Sequence, residues 1–355
     1  MIRNDTEEIA LDNYKIERLN DNNAAKWEEF NINSNEGTFF HSLKWKQILE
    51  NTLNYKTHYF LLFKNGSVFG IFPFAEHKIH IFKGLFPFQF SGHNNSIIQD
   101  FNDHSAIEYI IKELPKLMRA PEKISFIGFA SLHKETVDNL KNYSVLIPDN
   151  PGNMILDMQR LPPEKIWENF TAKKGQRRFI RRFDETGFCT TEINSDDDLK
   201  LFYKYYSENI NFIKGIPHTF SHFTDLWHNL SSDEIRITLL SKDTTVAGGV
   251  LMFPYKPKKT VYFEYLSLNR NLPTTYHPTY YLLWEAINWA WKNNYEKISF
   301  GAQASDENNP RYRIKKEFGA EFEPIYSKII PITRTFTTGC KGKKFFDRLH
   351  FNSQS

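Results

Sequence analysis

The stretch LLFKNGSVFGIFPF, Leu61 to Phe74, lies without a gap over LLSKDTTVAGGVLM, Leu239 to Met252. Leu61, Leu62, Lys64, Val68 and Gly70 then match Leu239, Leu240, Lys242, Val246 and Gly248. The pentapeptide EKISF also occurs twice, at Glu122 to Phe126 and at Glu296 to Phe300, with nearly the same displacement. Two segments that keep one offset in one order indicate two related half-chains, so the repeat governs every later assignment.

Outward from the first copy, THYFLLFKNGSVFGIFPFAEHKI reads as two strands around Asn65-Gly66, a strong hairpin signal. Upstream, Trp45, Ile48 and Leu49 have helical spacing after Ser42, a candidate N-cap. Downstream, the loop KGLFPFQFSGHNNS leads to the helix HSAIEYIIKELPKLMRA, which Pro115 should kink or end early. A strand KISFIGF and a short one near NMILDM close this half. The second half begins near Leu161-Pro162-Pro163. It holds three antiparallel runs in EIRITLLSKDTTVAGGVLMFPYKPKKTVYFEYLSLN, then the helix TYYLLWEAINWAWKNNY with Pro278 in its first turn. The strand KISFGA, a short helix over NPRYRIKKEF and a last strand EFEPIYSKII follow. This order is that of an N-acetyltransferase-like (GNAT-like) α/β domain with a mixed, mostly antiparallel sheet. Two such domains in tandem are expected, over 1–160 and 161–332, with a basic tail over 333–355 that adds a helix or a poorly ordered end.

The bulk composition agrees. At 355 residues the chain exceeds the size at which one core stops growing. Hydrophobic residues at 40% and charged residues at 25% describe a globular protein rather than a disordered one. A net charge of +3 is too small to imply nucleic-acid binding by itself. With only Cys189 and Cys340 and no apolar run of spanning length, a cytoplasmic protein without a transmembrane segment is expected. Neither a phosphate-binding P-loop nor a dinucleotide fingerprint occurs, and no spacing suggests a metal site.

Three constellations can carry chemistry. KKGQRRFIRR places Lys173, Arg177 and Arg181 in one helical row, with Lys174, Arg178 and Arg182 beside it. That face suits a phosphate-bearing partner (RNA, a nucleotide-linked substrate or a coenzyme A pyrophosphate); the alternative is a solvated face paired with Asp184 and Glu185. In FGAQASDENNPRYRIKKEFGAE, Gln303 and the loop after it lie outside a strand's carboxyl end, where α/β sheets form clefts. Lys315 on the next helix can reach that cleft and stabilise negative charge, the alternative on pattern alone being an exposed helix lysine, with Arg311 and Tyr312 beside it as binding candidates. Gly319 permits the helix to end, with Phe318 packing beneath. On YFEYLSL, Glu264 and Tyr265 point to opposite faces, so only one can face the cleft. Glu264 is the better proton relay, a buried salt bridge being the alternative, and Tyr265 can bond to a carbonyl or acceptor. His277 is a further candidate base. In the first half, Gln89, Ser91, His93 and Asn94 sit in a loop that can line the cleft.

YRIKKEFGAE, with the preceding LLWEAINWAWKNNYEKISFGA, resembles the C-terminal signature of the FemAB family. TFFHSLKWKQIL resembles that family's aromatic-Ser-x-x-Trp segment, and KKGQRRFIRRFDETGF its basic helix. The resemblance implies two N-acetyltransferase-like domains, an acceptor cleft between them and a functional lysine at Lys315. It further implies transfer of an aminoacyl or acyl group to an amine of a cell-envelope precursor, glycan or peptide. The co-substrate implied is aminoacyl-tRNA or acyl-CoA, with no tightly bound cofactor. The chain has neither the heptad arm of the classical peptidoglycan branch nor a glycine-rich acetyl-CoA loop, so the donor stays open between tRNA and coenzyme A. The rival from another class is a non-catalytic binding module holding RNA or an anionic glycan on the basic helix.

Overall fold

The computed structural model describes residues 14–79, 81–87, 93, 95–118, 124–138, 140, 145–146, 151–171, 175–273 and 275–339. In the first half, strand β1 (Tyr14–Arg18) precedes helices α1 (Ala24–Asn33) and α2 (Leu43–Asn51). Ser42 caps α2 as expected, its hydroxyl accepting from the Trp45 amide at 3.1 Å. Strands β2 (Thr57–Lys64) and β3 (Ser67–Ile79) form the hairpin, with Asn65 and Gly66 at φ of 53° and 82° in its turn. Then come β4 (Phe82–Phe86), β5 (Ile97–Ile98), α3 (His104–Met118), β6 (Phe126–Ser131), α4 (Lys134–Asp138) and β7 (Val145–Leu146). Pro115 does not end its helix early: α3 runs on to Met118, with Pro115 itself buried. In the last turn a proline forfeits one hydrogen bond, and burial of Ile107, Ile111, Leu114 and Met118 outweighs that loss.

The second half runs β8 (Gly152–Asp157), α5 (Pro163–Asn169), α6 (Gln176–Glu185), β9 (Cys189–Glu192), α7 (Asp196–Phe212), α8 (Phe220–Asn229), β10 (Arg236–Lys242) and β11 (Thr245–Tyr255). It continues with β12 (Thr260–Leu268), α9 (Pro278–Lys292), β13 (Lys297–Gln303), α10 (Pro310–Glu317), β14 (Glu321–Pro324), β15 (Tyr326–Pro331) and α11 (Arg334–Gly339). The duplication is physical. Hairpins β2–β3 and β10–β11 carry register shifts at matching places, Leu62/Phe63 and Leu240/Ser241. The strands at the two EKISF copies each make a parallel pairing, β6 with β4 and β13 with β12, in sheets that are otherwise antiparallel.

The ends of the halves differ from the sequence expectation. One sheet has the order β1-β2-β3-β4-β6-β15-β7, with β5 on β3; the other has β14-β8-β13-β12-β11-β10-β9. The strand NMILDM, expected to close the first half, is β8 and lies between β13 and β14 of the second sheet. The run EFEPIYSKII, expected as one strand of the second half, splits at Ile325, and its later part, β15, lies between β6 and β7 of the first sheet. Each sheet therefore receives an inner strand from beyond its own run of strands. Sequence pattern marks β8 and β15 as strands but not their partners, because pairing is decided by the surface each strand meets.

A shared core joins the halves. Phe39, Phe40 and Trp45 pack with Phe253, Tyr262, Tyr265 and the buried faces of α7 and α8. Phe39 stacks on Phe253 with ring centroids 5.0 Å apart, and Phe40 meets Tyr262 edge-on at 5.0 Å. On the other face of the second sheet, α5, α6, α9 and α10 cover a separate core. Phe336 of α11 stacks on Phe126 at 4.5 Å, and the rest of the expected tail, including Cys340, lies outside the described residues.

Candidate active site at a strand fork

Strands β12 and β13 pair only from Thr260/Lys297 to Tyr262/Ser299, yet β12 runs on to Leu268 and β13 to Gln303. The sheet therefore forks. Both arms bend where they part. On β12, Leu251 opposes Tyr265 while Met252 opposes Phe263, so Glu264 is the extra residue of a β-bulge. On β13 the register against β8 shifts between Ser299 and Ala302, and Gly301 sits at φ 76°, which glycine adopts without strain. Bulges re-aim side chains, and this one turns a carboxylate out of the regular alternation.

Glu264 is 7% exposed and has no hydrogen bond among the described residues. Burial drives its pKa up to about 8, with the nearby Lys315 charge pulling the other way. Lys315 reaches across from α10. Its Nζ donates to the Phe300 carbonyl at 2.5 Å and to Gln303 Oε1 at 2.8 Å. Burial, then the Arg311 charge, lower its pKa to about 7, while Glu264 raises it. Gln303 Nε2 is buried without a partner, leaving a donor in the same place. Helix α10 is held by Glu317, whose Oε2 accepts from Gln176 at 3.2 Å and from the Tyr280 hydroxyl at 2.8 Å. Phe318, fully buried, packs edge-on against Phe170, and Gly319 at φ 88° ends the helix as expected.

Lys315, Glu264 and Gln303 thus come together, with Arg311 one helical turn before Lys315 and near enough for its charge to act on it, and the other candidates among the described residues do not join them. Tyr265 points away into the shared core, 1% exposed, its hydroxyl bonded to His222 Nε2 at 3.0 Å. Tyr312 is also core, 4% exposed and packed near Phe322. His277 caps α9 with its ring 4.0 Å from Phe179; burial first, then Arg178 and Arg182, lower its pKa. The basic face is less open than its sequence suggests. Arg177 donates to the Trp167 and Glu168 carbonyls at 3.0 and 2.9 Å, and Arg182 to the Thr275 carbonyl at 3.2 Å. Arg181 lies over the Trp167 ring at 5.4 Å. Lys173, Gln89 and Asn94 lie outside the described residues, as do Lys174 and Ser91.

His93, expected to line the cleft, is a joint between the halves. Its Nε2 meets Ser299 Oγ at 2.6 Å where the fork opens, and its Nδ1 lies 3.2 Å from Asn153 Nδ2 of β8. Burial lowers its pKa to about 3, so the ring is neutral. On the same side a cleft of about 970 Å³ opens between the halves, lined by Glu36, Gln99, Phe101 and His133 from the first and Glu323 from the second. His133 Nε2 lies 2.9 Å from Glu36 Oε1 and its ring stacks on Phe101 at 3.9 Å. Glu323 opposes Asn153, which opposes Ala302, so the cleft reaches to within two strand spacings, roughly 10 Å, of the fork. No sequence signal marks Glu36, His133 or Glu323, because the first half and β14 meet only in the fold.

Residues 172–312 match the family described as acetyltransferase (GNAT) domain. No curated protein matches the chain at a significant level. Among solved structures, FemX superposes with a TM-score of 0.72 over 92% of this chain and 100% of its own, at 11% identity. A tandem GNAT protein from the clavulanic acid biosynthesis pathway aligns with a TM-score of 0.57 over 90% of this chain and 99% of its own, at 9% identity. L-PGS from Bacillus licheniformis aligns with a TM-score of 0.52 over 76% of this chain and 83% of its own, at 9% identity. The fold is thus a tandem GNAT fold like that of FemX, and the family match falls in its second half. Among the described residues no helix is long and apolar enough to cross a membrane.

Proposed function

We propose that this chain, an acetyltransferase-type domain set in a FemX-like tandem fold, is an N-acyltransferase that moves an acyl or aminoacyl group onto an amine. The observation that carries the reading is the Glu264–Lys315 pair at the fork, a buried carboxyl and a half-buried amine with pKa values of about 8 and about 7. A buried carboxylate without hydrogen bonds is costly, and such costs concentrate where chemistry uses them. Between those two values the pair holds one proton. Those values rest that proton mainly on Glu264; in the form that reacts it has passed to Lys315, whose Nζ then has two N–H groups engaged by Phe300 and Gln303 and a third free for a developing oxyanion. Glu264 is then ionised and takes the proton released as the acceptor nitrogen forms its bond to the acyl carbon. The bond from that carbon to the donor's sulfur or oxygen breaks, and the proton on Glu264 passes to the leaving group.

The donor supplies the activated carbonyl. For its phosphates the fitting residues are Arg178 and Arg182 beside the N-terminus of α9, where a helix favours negative charge. The same residues suit coenzyme A or the end of a charged tRNA. The acceptor, a small molecule, glycan or peptide of the cell envelope, enters through the cleft lined by Glu36, His133 and Glu323. We place the protein in the cytoplasm, where such donors are made. The division at about residue 160 is kept as a division of active regions, the donor and the pair falling in the second. The non-catalytic alternative loses ground because Arg177 already serves backbone carbonyls and Arg181 lies over the Trp167 ring.

The test is turnover with an acyl-CoA and charged-tRNA panel against amines, followed over pH. The expected kcat/KM profile is bell-shaped, rising through about 7 and falling through about 8, since only the singly protonated pair is active. Lys315→Ala should lower kcat by about 100-fold or more, the scale of losing an oxyanion donor. Full turnover in Lys315→Ala with an identified substrate pair sinks the assignment.

A further inference from the structure

A second pocket, of about 130 Å³, lies between α9 and the sheet edge formed by β9 and β10. Its floor carries Thr190 of β9 with Arg236 and Thr238 of β10; its wall is one face of α9, Glu285 with Trp289 and Lys292 one and two turns on. Arg236 opposes Met252 and Met252 opposes Phe263, so β11 separates this pocket from the bulge at Glu264. The lining is polar and short of partners. Thr238 is fully buried, and neither its hydroxyl nor that of Thr190 has a hydrogen-bond partner among the described residues. Arg236, its side chain 14% exposed, is tied by an ion pair without hydrogen-bond geometry, Nε to Glu192 Oε2 at 3.4 Å. Its guanidinium also lies 4.7 Å from the Trp289 ring centroid, and Trp289 stacks on the buried Tyr295 at 5.7 Å. Glu285, half-buried on the facing helix, has neither a hydrogen bond nor an ion pair among the described residues. Opposite charges that line one pocket attract, yet the aromatic platform and Glu192 hold the guanidinium back and the gap between them stays open. Each is disfavoured where it stands. Burial first, then Asp184, raises the Glu285 pKa against the pull of Lys292 and Arg236, and burial lowers that of Arg236 against Glu192 and Glu285.

A buried hydroxyl without a partner costs free energy, and two of them facing a guanidinium on one floor present donors to an oxyanion. The carboxylate on the wall presents acceptors to a cation. An anion alone would sit against Glu285 and be repelled by it, and a cation alone would leave Arg236 and both hydroxyls unserved. Water would serve the hydroxyls but leave two opposed charges apart. We infer that this pocket is a binding site for a small zwitterion of the α-amino-acid type. Its carboxylate accepts from Arg236 and the hydroxyls of Thr190 and Thr238, and its ammonium donates to Glu285. The volume suits a molecule of roughly half a dozen non-hydrogen atoms, the size of glycine, alanine or serine. The exposed Lys292 marks the rim through which it enters. Once bound, it braces α9 against the edge of the second sheet.

Isothermal titration calorimetry on the full-length chain near neutral pH tests it, with glycine, L-alanine and L-serine as probes and acetate and methylammonium as half-molecules. Saturable binding of at least one amino acid is expected, one per chain, with each half-molecule about tenfold weaker or more. Glu285→Gln keeps the shape and removes the charge; Thr238→Val removes a hydroxyl that has no partner, so it should fold with undiminished stability. Each should raise Kd about tenfold or more, whereas Lys315→Ala, at the fork, should leave it unchanged. No saturable heat with any of the three amino acids means that the pocket holds water alone and overturns the inference. Acetate binding as tightly as the amino acid, or wild-type affinity in either pocket variant, overturns it too, as does binding lost in Lys315→Ala. The acyl-transfer reading is independent of all these outcomes, since its own test is turnover at the fork.

Discussion

At the scale of single residues, Glu264 trades stability for chemistry. Its folded pKa is raised from the ordinary 4.5 to about 8, so the stability it contributes is complete below about 4.5 and is lost as pH rises through about 8. Lys315 behaves in the opposite sense. Its pKa is lowered from 10.5 to about 7, and its contribution falls away as pH drops toward that value. Glu264→Gln keeps the shape and removes the ionisation. The variant should melt above the wild type by roughly a few °C at pH 8, and the gap should shrink to almost nothing near pH 4, because a tenfold change in proton affinity is worth about 1.4 kcal/mol. Thermal melts across that range check it; a gap that stays constant with pH would mean the carboxyl is not the group responsible. The glutamate is legible as a suspect because an acid inside an aromatic strand is rare, and the lysine because its motif resembles a known one. Glu36 and His133 are not, since each is an ordinary residue until the fold brings its neighbours to it.

Among the elements, the two hairpins are the most legible part of the chain. Asn65-Gly66 announces a turn locally, and the repeat carries that reading to Asp243, which takes φ 49° at the matching position. Helices α7 and α8, over 196–229, escape the motif reading, although Ser195 and Thr219 cap them and both bury faces against β12. The bulge at Glu264 is invisible too, because a strand's alternation reads through one extra residue. It makes a test available. Deleting Glu264 closes the bulge and lets Phe263 and Tyr265 keep their faces, so the shortened protein should stay folded with β12 regular. Turnover should vanish, whereas Glu264→Gln would leave the fork open and only its proton chemistry lost. Circular dichroism and an activity assay on the two variants decide it: if the deletion variant retains activity, the bulge has no role in presenting the site.

For the molecule as a whole, the exchange of β8 and β15 decides what can exist alone. A fragment ending near residue 150 lacks β15, leaving β6 and β7 with nothing between them; the remainder keeps its own sheet but carries β15 unpaired. Neither fragment should unfold cooperatively by itself, and mixing them during refolding should restore one sharp transition. Independent cooperative melting of either piece would show that the interlock is dispensable. The shared core around Phe40, Tyr262 and His93 points the same way, since it too draws on both halves.

That interlock also sets a schedule for synthesis. Domains ordinarily fold in the order they leave the ribosome, the first being finished while the second is still being made. Here the first sheet waits for Tyr326–Pro331, near the end of the chain, and until then β6 presents an open edge of unpaired backbone. A nascent chain keeps that edge uncovered from the time Ser131 is made until Tyr326–Pro331 follows, so its yield in the cell should depend on chaperones that shield strands more than on the stability of the finished fold.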